Sequence, residues 1–414
     1  MNELLAVVEA FERVRERGER AALATVVGVE GSAYRRPGAR MIVAECGETA
    51  GTISGGCLER DVALRAAEVI KTRAACVVEY DTRGGEDIVW GFGLGCNGVV
   101  RVLLESLHEG SPGERAIRFI DGCLKARKGG LIATVVAGDS SARAVEVGQR
   151  LIVDGELSVC GQSLADETLD APLREDALEI LAGGRGLTRT YETRHGRTEV
   201  FFDLIAPPRP LVVFGAEHDA APLVSLARTL GWHVTVVDTR ARPATRERFA
   251  EADEVLLCRA GEVAARVPLA PDTAAVVMTH NYLDDVELMR ALLPSPACYV
   301  GVLGPRQRTS KLLEEVCADS LVPADSRLAR LHAPVGVDIG AETPEEIALS
   351  IVCEIKAVCA AREGGFLRDR DAPIHGGRDA RRDAATSGPH RTNLSIESYV
   401  GTRESVSLVA CRAS

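Results

Sequence analysis

At 414 residues, 46% of them hydrophobic and 26% charged, the chain has the composition of a soluble globular protein and the length of two domains. A net charge of -11 opposes a general nucleic-acid binder or an anionic membrane surface, and aromatic residues at 4% leave little for base stacking. The N-terminal MNELLAVVEAFERVRER carries charges throughout and no run of eighteen apolar residues exists. Neither a signal peptide nor a membrane anchor is therefore expected, and a cytoplasmic location follows as an expectation. Twelve cysteines then read as thiols, and without a CxxC pair a structural zinc site is unsupported.

Leu4, Leu5, Val8, Phe11 and Val14 fall on one face of a helix predicted over 3–17, which Gly18 ends. Strands are predicted over 22–29, 39–44 and 50–53. A helix over 58–72 follows, with Leu58, Val62, Leu64 and Val69 as core contacts. A strand over 74–80 runs into the turn YDTRGGED. Residues 91–98 are half glycine, and Cys96 stands where that loop becomes a hydrophobic strand. Then come a helix over 112–128, strands over 131–136 and 147–153, a mostly helical stretch over 160–190, and a strand over 197–205. This first domain, 1–206, reads as mixed α/β (α+β) with no strict repeat.

Pro207-Pro208-Arg209-Pro210 is a short stiff linker, and after it the pattern turns regular. Strands over 211–214, 233–238, 254–258, 274–279 and 298–303 alternate with helical stretches, the first of them over 220–230. That alternation predicts a Rossmann-like, doubly wound parallel sheet over 211–364. Its last helix starts at a capping box, with Thr343 as N-cap, Pro344 at N1 and Glu346 at N3. Residues 365–414 show no hydrophobic period and read as a disordered tail.

Chemistry concentrates between Gly28 and Arg60. Ser32, Arg35, Arg36 and Arg40 lie among glycines and a proline, a composition suited to an anion. Gly55 and Gly56 precede Cys57 at a helix start, where the dipole favours a thiolate. Gly95 and Cys96 form a second glycine–cysteine loop. Cys76, Cys258, Cys298, Cys353 and Cys359 lie in apolar segments and read as small core residues. In the second domain, VVFGAEHDAAPL over 212–223 has the context of a dinucleotide fingerprint, with Gly215 after a strand and Asp238 where a ribose-binding carboxylate belongs. Glu217 stands at the second glycine position and Ala220 at the third, so NAD(P) binding and a nucleotide-free scaffold both remain open. His218, His280 and Arg306 gather at the carboxyl ends of the strands, the edge where such sheets bind ligands.

GSAYRRPGARMIV (31–43), GTISGGCLE (51–59), LGCNGVV (94–100), LVVFGAEHDAAPL (211–223), MTHNYLDD (278–285), VGVLGPRQR (300–308) and PVGVDIGAETPEEIALSIVCEI (334–355) occur in this order. Together they resemble the XdhC/CoxI family, the accessory factors of xanthine dehydrogenase and related molybdenum hydroxylases. The resemblance implies a maturation factor outside the finished enzyme. Such a factor binds molybdenum cofactor as molybdopterin or its nucleotide form, works with a cysteine desulfurase during sulfuration, and delivers the cofactor to an apo-hydroxylase. It implies a Rossmann-like C-terminal domain and a homodimer. On this reading Arg35, Arg36, Arg40 and glycine amides hold phosphate. Cys57 and Cys96 contact molybdenum or transient sulfur, and the second domain takes the nucleotide-like part. Family members often carry glycine where Glu217 stands. Two other functions remain open, an NAD(P)-dependent oxidoreductase and a thiol sulfur-transfer protein.

Overall fold

The computed structural model describes residues 2–83, 98–138, 145–156, 158–160, 167–183, 186–193, 196–318 and 328–370. The chain divides into two compact units, Met1–Pro208 and Arg209–Ser414. As expected, the first mixes helices with antiparallel strands and the second is built on a parallel sheet.

In the first unit the helices are α1 (Asn2–Glu16), α2 (Glu59–Thr72), α3 (Pro112–Ala126) and α4 (Glu167–Gly183). The strands run from β1 (Ala21–Gly31), β2 (Arg40–Ala44), β3 (Thr49–Gly51), β4 (Cys76–Asp81) and β5 (Gly98–Ser106) to β6 (Gly130–Gly138), β7 (Arg150–Asp154), β8 (Leu187–Thr193) and β9 (Gly196–Ile205). They form two sheets, ordered β3-β2-β1-β5-β4 and β7-β6-β9-β8. Successive side chains on a strand face opposite ways, and this sorts the cores. Ala22, Ala24 and Val26 of β1, with Met41 and Val43 of β2, pack on α2. Leu23 and Ile42 face the other way and join α1 and α3 with Ile132, Ile152 and Ile205 of the second sheet. The outer face of that sheet, including Leu131, Val200 and Phe202, is covered by α4.

Several expectations need correction here. Leu5 is 42% exposed and Leu64 69% exposed, while Val7, Ala66 and Ile70 take the buried positions. Cys76 and Cys353 are exposed and not core residues. The stretch read as helical over 160–190 ends in strand β8, whose LTRTYET alternates with period two. Sequence 365–370 is described and includes a short 3-10 turn, Leu367–Asp369; the rest of the expected tail lies outside the described residues.

The inner faces of the two sheets also carry charge. Arg40 of β2 pairs with Asp203 of β9, and both are nearly inaccessible to solvent. Arg150 of β7 makes a forked pair with Glu105 of β5, donating through Nη1 at 2.7 Å and through Nη2, while its Nε donates to Thr134 Oγ1 at 3.1 Å. Arg101 of β5 reaches Glu199 of β9 at 2.7 Å. Gly38 sits under the first pair with φ +95°, and a Cβ there would come within 2.9 Å of an Asp203 oxygen. Only glycine suits that position.

The second unit contains β10 (Pro210–Phe214), α5 (Ala220–Thr229), β11 (His233–Asp238), β12 (Glu254–Leu257), β13 (Ala274–Val277), α6 (Tyr282–Leu292), β14 (Tyr299–Val302), α7 (Arg306–Ala318), β15 (Leu331–His332) and α8 (Pro344–Cys359). The order β12-β11-β10-β13-β14-β15, parallel throughout, is the doubly wound order with its switch point between β10 and β13. Two cores lie on its two faces, which is why β10 and β13 are apolar without alternation. The capping box at Thr343 and Glu346 forms as the sequence predicts.

Asp203→Ala leaves the Arg40 guanidinium buried without its partner, and should lower unfolding free energy by about 3–5 kcal/mol. The double replacement Arg40→Leu/Asp203→Leu should cost clearly less than the single one. Urea unfolding of both variants checks the order; equal costs would mean that the pair is not what ties these strands.

Candidate functional site

In the first unit, the loop after β1 and the turn before α2 are drawn together by α1. Glu3 accepts hydrogen bonds from the Thr52 amide (2.8 Å) and hydroxyl (2.6 Å) through Oε1, and its other oxygen pairs with Arg35. Tyr34, 66% exposed, lays its ring over Gly55, about 3.6 Å from where a Cβ there would stand. Ser32, Arg36, Gly55 and Gly56 are exposed and Cys57 is half-buried, on the two segments that Tyr34 and Glu3 bring together. Arg60, in the first turn of α2, is also exposed. Gly98 pairs with Gly31 beside Ser32 and exchanges hydrogen bonds with Thr82. Gly95 and Cys96, both predicted site residues, lie outside the described residues. Arg40 faces inward to Asp203, away from this patch.

The turn before α2 is held by Ser54 and Glu59. Ser54 Oγ accepts from the amides of Gly56, Cys57 and Leu58 at 3.1–3.2 Å, which fastens the turn that leads into α2. Glu59 in turn accepts from the Ser54 hydroxyl and from the amides of Ser54 (2.8 Å) and Ile53 (3.3 Å). Burial works to raise the Glu59 carboxyl, but these hydrogen bonds outweigh it and hold it below the ordinary range. The Cys57 amide is thus committed, and its side chain lies half-buried against the core under α2.

In the second unit, Gly215, Asp238 and His280 line one crevice at the carboxyl edge of the sheet, with Glu217, Arg240, Arg242, Thr279 and Asn281. Gly215 has φ +125°, and a Cβ there would meet the Met278 carbonyl oxygen at 2.5 Å, so the β10 and β13 loops can touch only at a glycine. The crevice is filled by its own charges. Glu217 Oε1 pairs with Arg240 at 3.1 Å and Arg242 at 2.9 Å. Asp238 accepts from the Arg240 and Arg242 amides, Arg242 Nε and the Thr245 hydroxyl. Burial pushes its carboxyl up, yet those bonds win and keep it depressed. What remains open is about 10 Å³, the room of a single water. His280 Nε2 lies 3.3 Å from Asp219. His218 and Arg306 are exposed and do not line the crevice; Arg308 turns instead to buried Asp285 at 2.6 Å. Among the described residues no group of three or more His, Cys, Asp or Glu side chains could hold a metal ion.

A family model for the XdhC Rossmann domain matches residues 211–355, and one for the XdhC and CoxI family matches residues 14–81. A protein of Bacillus subtilis (strain 168), named as a probable xanthine dehydrogenase subunit, is 33% identical over 350 residues, covering 83% of this chain and 95% of that protein. The chain belongs to the XdhC/CoxI family. The molybdenum cofactor insertion chaperone PaoD of Escherichia coli (strain K12) is 23% identical over 82% of this chain and 84% of its own length. A crystal structure described as a xanthine dehydrogenase from Bacillus halodurans matches with a TM-score of 0.68 at 28% identity, covering 86% of this chain and 97% of that one.

Within this XdhC/CoxI chain, the sequence motifs find the loops but miss their fasteners. Glu3, Ser54 and Glu59 in the first unit, and Arg240 and Arg242 in the second, set the geometry. Arg242, four residues after Asp238, has a spacing that could have revealed it; Glu3 has none.

Three outcomes follow. Glu217→Gly removes the carboxylate that occupies Arg240 and Arg242, and should raise affinity for a phosphate-bearing nucleotide such as NADPH at least about tenfold, since two clustered guanidiniums lose their internal anion. Isothermal titration of both proteins reads this. Ser54→Ala should cost about 1–3 kcal/mol, because it leaves the buried partners of that hydroxyl without their hydrogen bonds. Because the folded Glu59 carboxyl is depressed, its contribution is present above the unfolded value of about 4.3 and is lost as pH falls through the lower folded value. The stability gap between the native protein and Glu59→Gln should therefore close on acidification, as followed by thermal melts across pH.

Proposed function

We propose that this protein binds molybdenum cofactor at the patch formed by the loop after β1 and the turn before α2, and serves as an insertion factor for a xanthine dehydrogenase-type hydroxylase. The observation that carries the reading is the junction made by Glu3, which sets an anion-suited loop against a thiol-bearing turn. The cargo is a flat pterin with a phosphate at one end and a dithiolene-bound metal at the other. The donor set matches it in kind. Exposed Arg36, Arg60 and Ser32 suit phosphate, the open face of Tyr34 suits the ring, and the half-buried Cys57 thiol suits the soft end. Arg35 contributes by holding its loop through Glu3, and Arg40 by anchoring β2.

Support from relatives runs the same way, since one similar protein is named as a molybdenum cofactor insertion chaperone and another as part of a xanthine dehydrogenase. Cooperation with a cysteine desulfurase during sulfuration, delivery to the apo-hydroxylase, a cytoplasmic site of action and a homodimeric state complete the proposal. Among the described residues, no helix is long and apolar enough to cross a membrane. A dehydrogenase function would need the second unit's crevice for its coenzyme, and the Glu217–Arg240–Arg242 cluster occupies it.

Purified anaerobically from a host that makes the cofactor, the protein should carry molybdenum and pterin. Tyr34→Ala should weaken retention by about 1–3 kcal/mol, the worth of one ring stack. Cys57→Ala should keep the pterin while losing most of the activity delivered to an apo-hydroxylase. Absence of both molybdenum and pterin from the native protein would overturn the reading.

A further inference from the structure

Beside the edge strand β8, the two sheets of the first unit leave a cavity of about 260 Å³. Gly28, Glu30 and Arg101 line it from the first sheet, and Leu187, Thr188 and Phe201 from the second. A gap this size between apposed sheets is unusual for a packed interior, where few voids exceed one water. Its shape starts from a bulge in β1. The register against β5 shifts between Val26 and Gly28, which sets Gly28 opposite Arg101 and Glu30 opposite Val99. A Cβ at Gly28 would meet Arg101 Nε at 2.7 Å and Nη2 at 3.2 Å. The Nε–Nη2 edge of the guanidinium therefore lies across bare backbone, a placement that a side chain at position 28 would prevent.

Arg101 Nη1 is taken by Glu199 at 2.7 Å, while Nε and Nη2 have no hydrogen-bond partner among the described residues. Such an edge offers two parallel N–H donors to two neighbouring acceptors. A carboxylate presents that pair, and so does a heterocycle with a carbonyl beside a ring nitrogen, as on the O6/N7 edge of an oxopurine. Charge decides between them. Glu199 already balances Arg101, and Glu30, which lies 3.7 Å from Arg83, brings a further carboxylate to the lining. A carboxylate ligand would add an uncompensated negative charge against the buried side chains of Phe201 and Val99. A neutral heterocycle adds none. Volume narrows the class further. Pockets for drug-sized ligands hold about 300–1,000 Å³, so this smaller one suits a fused ring pair without an attached sugar or phosphate.

We propose that this cavity binds a free 6-oxopurine base, whose O6 and N7 accept from Arg101 Nε and Nη2. Phe201 and Val99 supply an apolar wall, and Thr188 and Glu30 are the polar lining residues that can meet the N–H groups of the ring. Tyr34 and Cys57 do not line the cavity, so the site is separate from the cargo patch and stands whether or not that patch holds molybdenum cofactor. The pterin of the cargo carries a comparable carbonyl-beside-nitrogen edge. It is joined, however, to a dithiolene and a phosphate, which a cavity of this volume does not hold.

The test is equilibrium dialysis of the full chain, prepared without molybdenum cofactor, against hypoxanthine, adenine, benzoate and 6-methylpterin. Hypoxanthine should bind saturably. Adenine, which carries an amino donor where hypoxanthine has O6, should bind at least about tenfold more weakly, since it breaks the bidentate match. Arg101→Gln should lose hypoxanthine affinity by a similar factor. Leu187→Trp, at an exposed lining position clear of the charged pairs, should also weaken binding by crowding the cavity. No saturable binding at millimolar hypoxanthine, equal affinity for adenine, or tighter binding of benzoate or 6-methylpterin than of hypoxanthine overturns the proposal. The native-protein arms decide it even if a variant fails to fold.

Discussion

The first unit depends on charge hidden between its two sheets. Arg40 with Asp203, and Arg150 with Glu105, lie on inner faces that are otherwise mostly apolar. Placing guanidinium and carboxylate there has a heavy desolvation cost, which the direct pairing offsets. What the pairs contribute is register. A one-residue slip of β2 or β9 would carry its charged residue to the opposite face, among the apolar contacts of α2 or α4, with no partner. The native pairing is thus separated from its nearest competitors by unpaired buried charge. Leu23 or Ile42 could not supply that penalty, since apolar groups tolerate either face.

This anchoring reaches the proposed site through a few residues. Arg40 Nη1 donates to the Gly38 carbonyl at 3.0 Å, and the Gly38 amide donates to Val26 at 2.8 Å. The turn that carries Arg35, Arg36 and Pro37 is therefore fixed at its exit by β1 and Asp203, and at Arg35 by Glu3. Arginine performs three tasks in this chain. Arg40 and Arg150 fix register, Arg240 and Arg242 neutralise a carboxylate in the Rossmann crevice, and Arg36 and Arg60 face outward. Neighbouring residues in the sequence do not decide which task an arginine takes.

That is also why the sequence was legible only in part. The doubly wound sheet showed clearly, because parallel strands buried on both faces leave short apolar runs spaced by helices. The capping box at Thr343 was legible because both its members lie within one turn. Strand β8 was hidden by the helical residues before it, although its threonine and tyrosine alternation was present. The topology of the first unit was not legible, since β1 lies between β2 and β5 and no local signal encodes that choice. At the site, loops rich in glycine and arginine stood out by composition. Their fasteners did not, because Glu3 acts 32 positions from Arg35 and Asp203 acts 163 positions from Arg40.

The same limit governs the cysteines. A glycine-rich setting drew attention to Cys57, whose turn is in fact tightly organised by Ser54 and Glu59. An apolar setting made Cys298 and Cys359 read as small core residues, and both do pack on the core. Packing and reactivity are not alternatives, however. A thiol in an apolar wall is inert when desolvation dominates, as at Cys258, where burial pushes the thiol up. At Cys359 burial acts in the same sense, but the influence of Cys298 and then of Arg209, Lys356 and His332 pulls the thiol down. The difference between these two thiols lies in their tertiary neighbours. Composition could therefore rank the loops of this protein, but it could not rank its sulfurs.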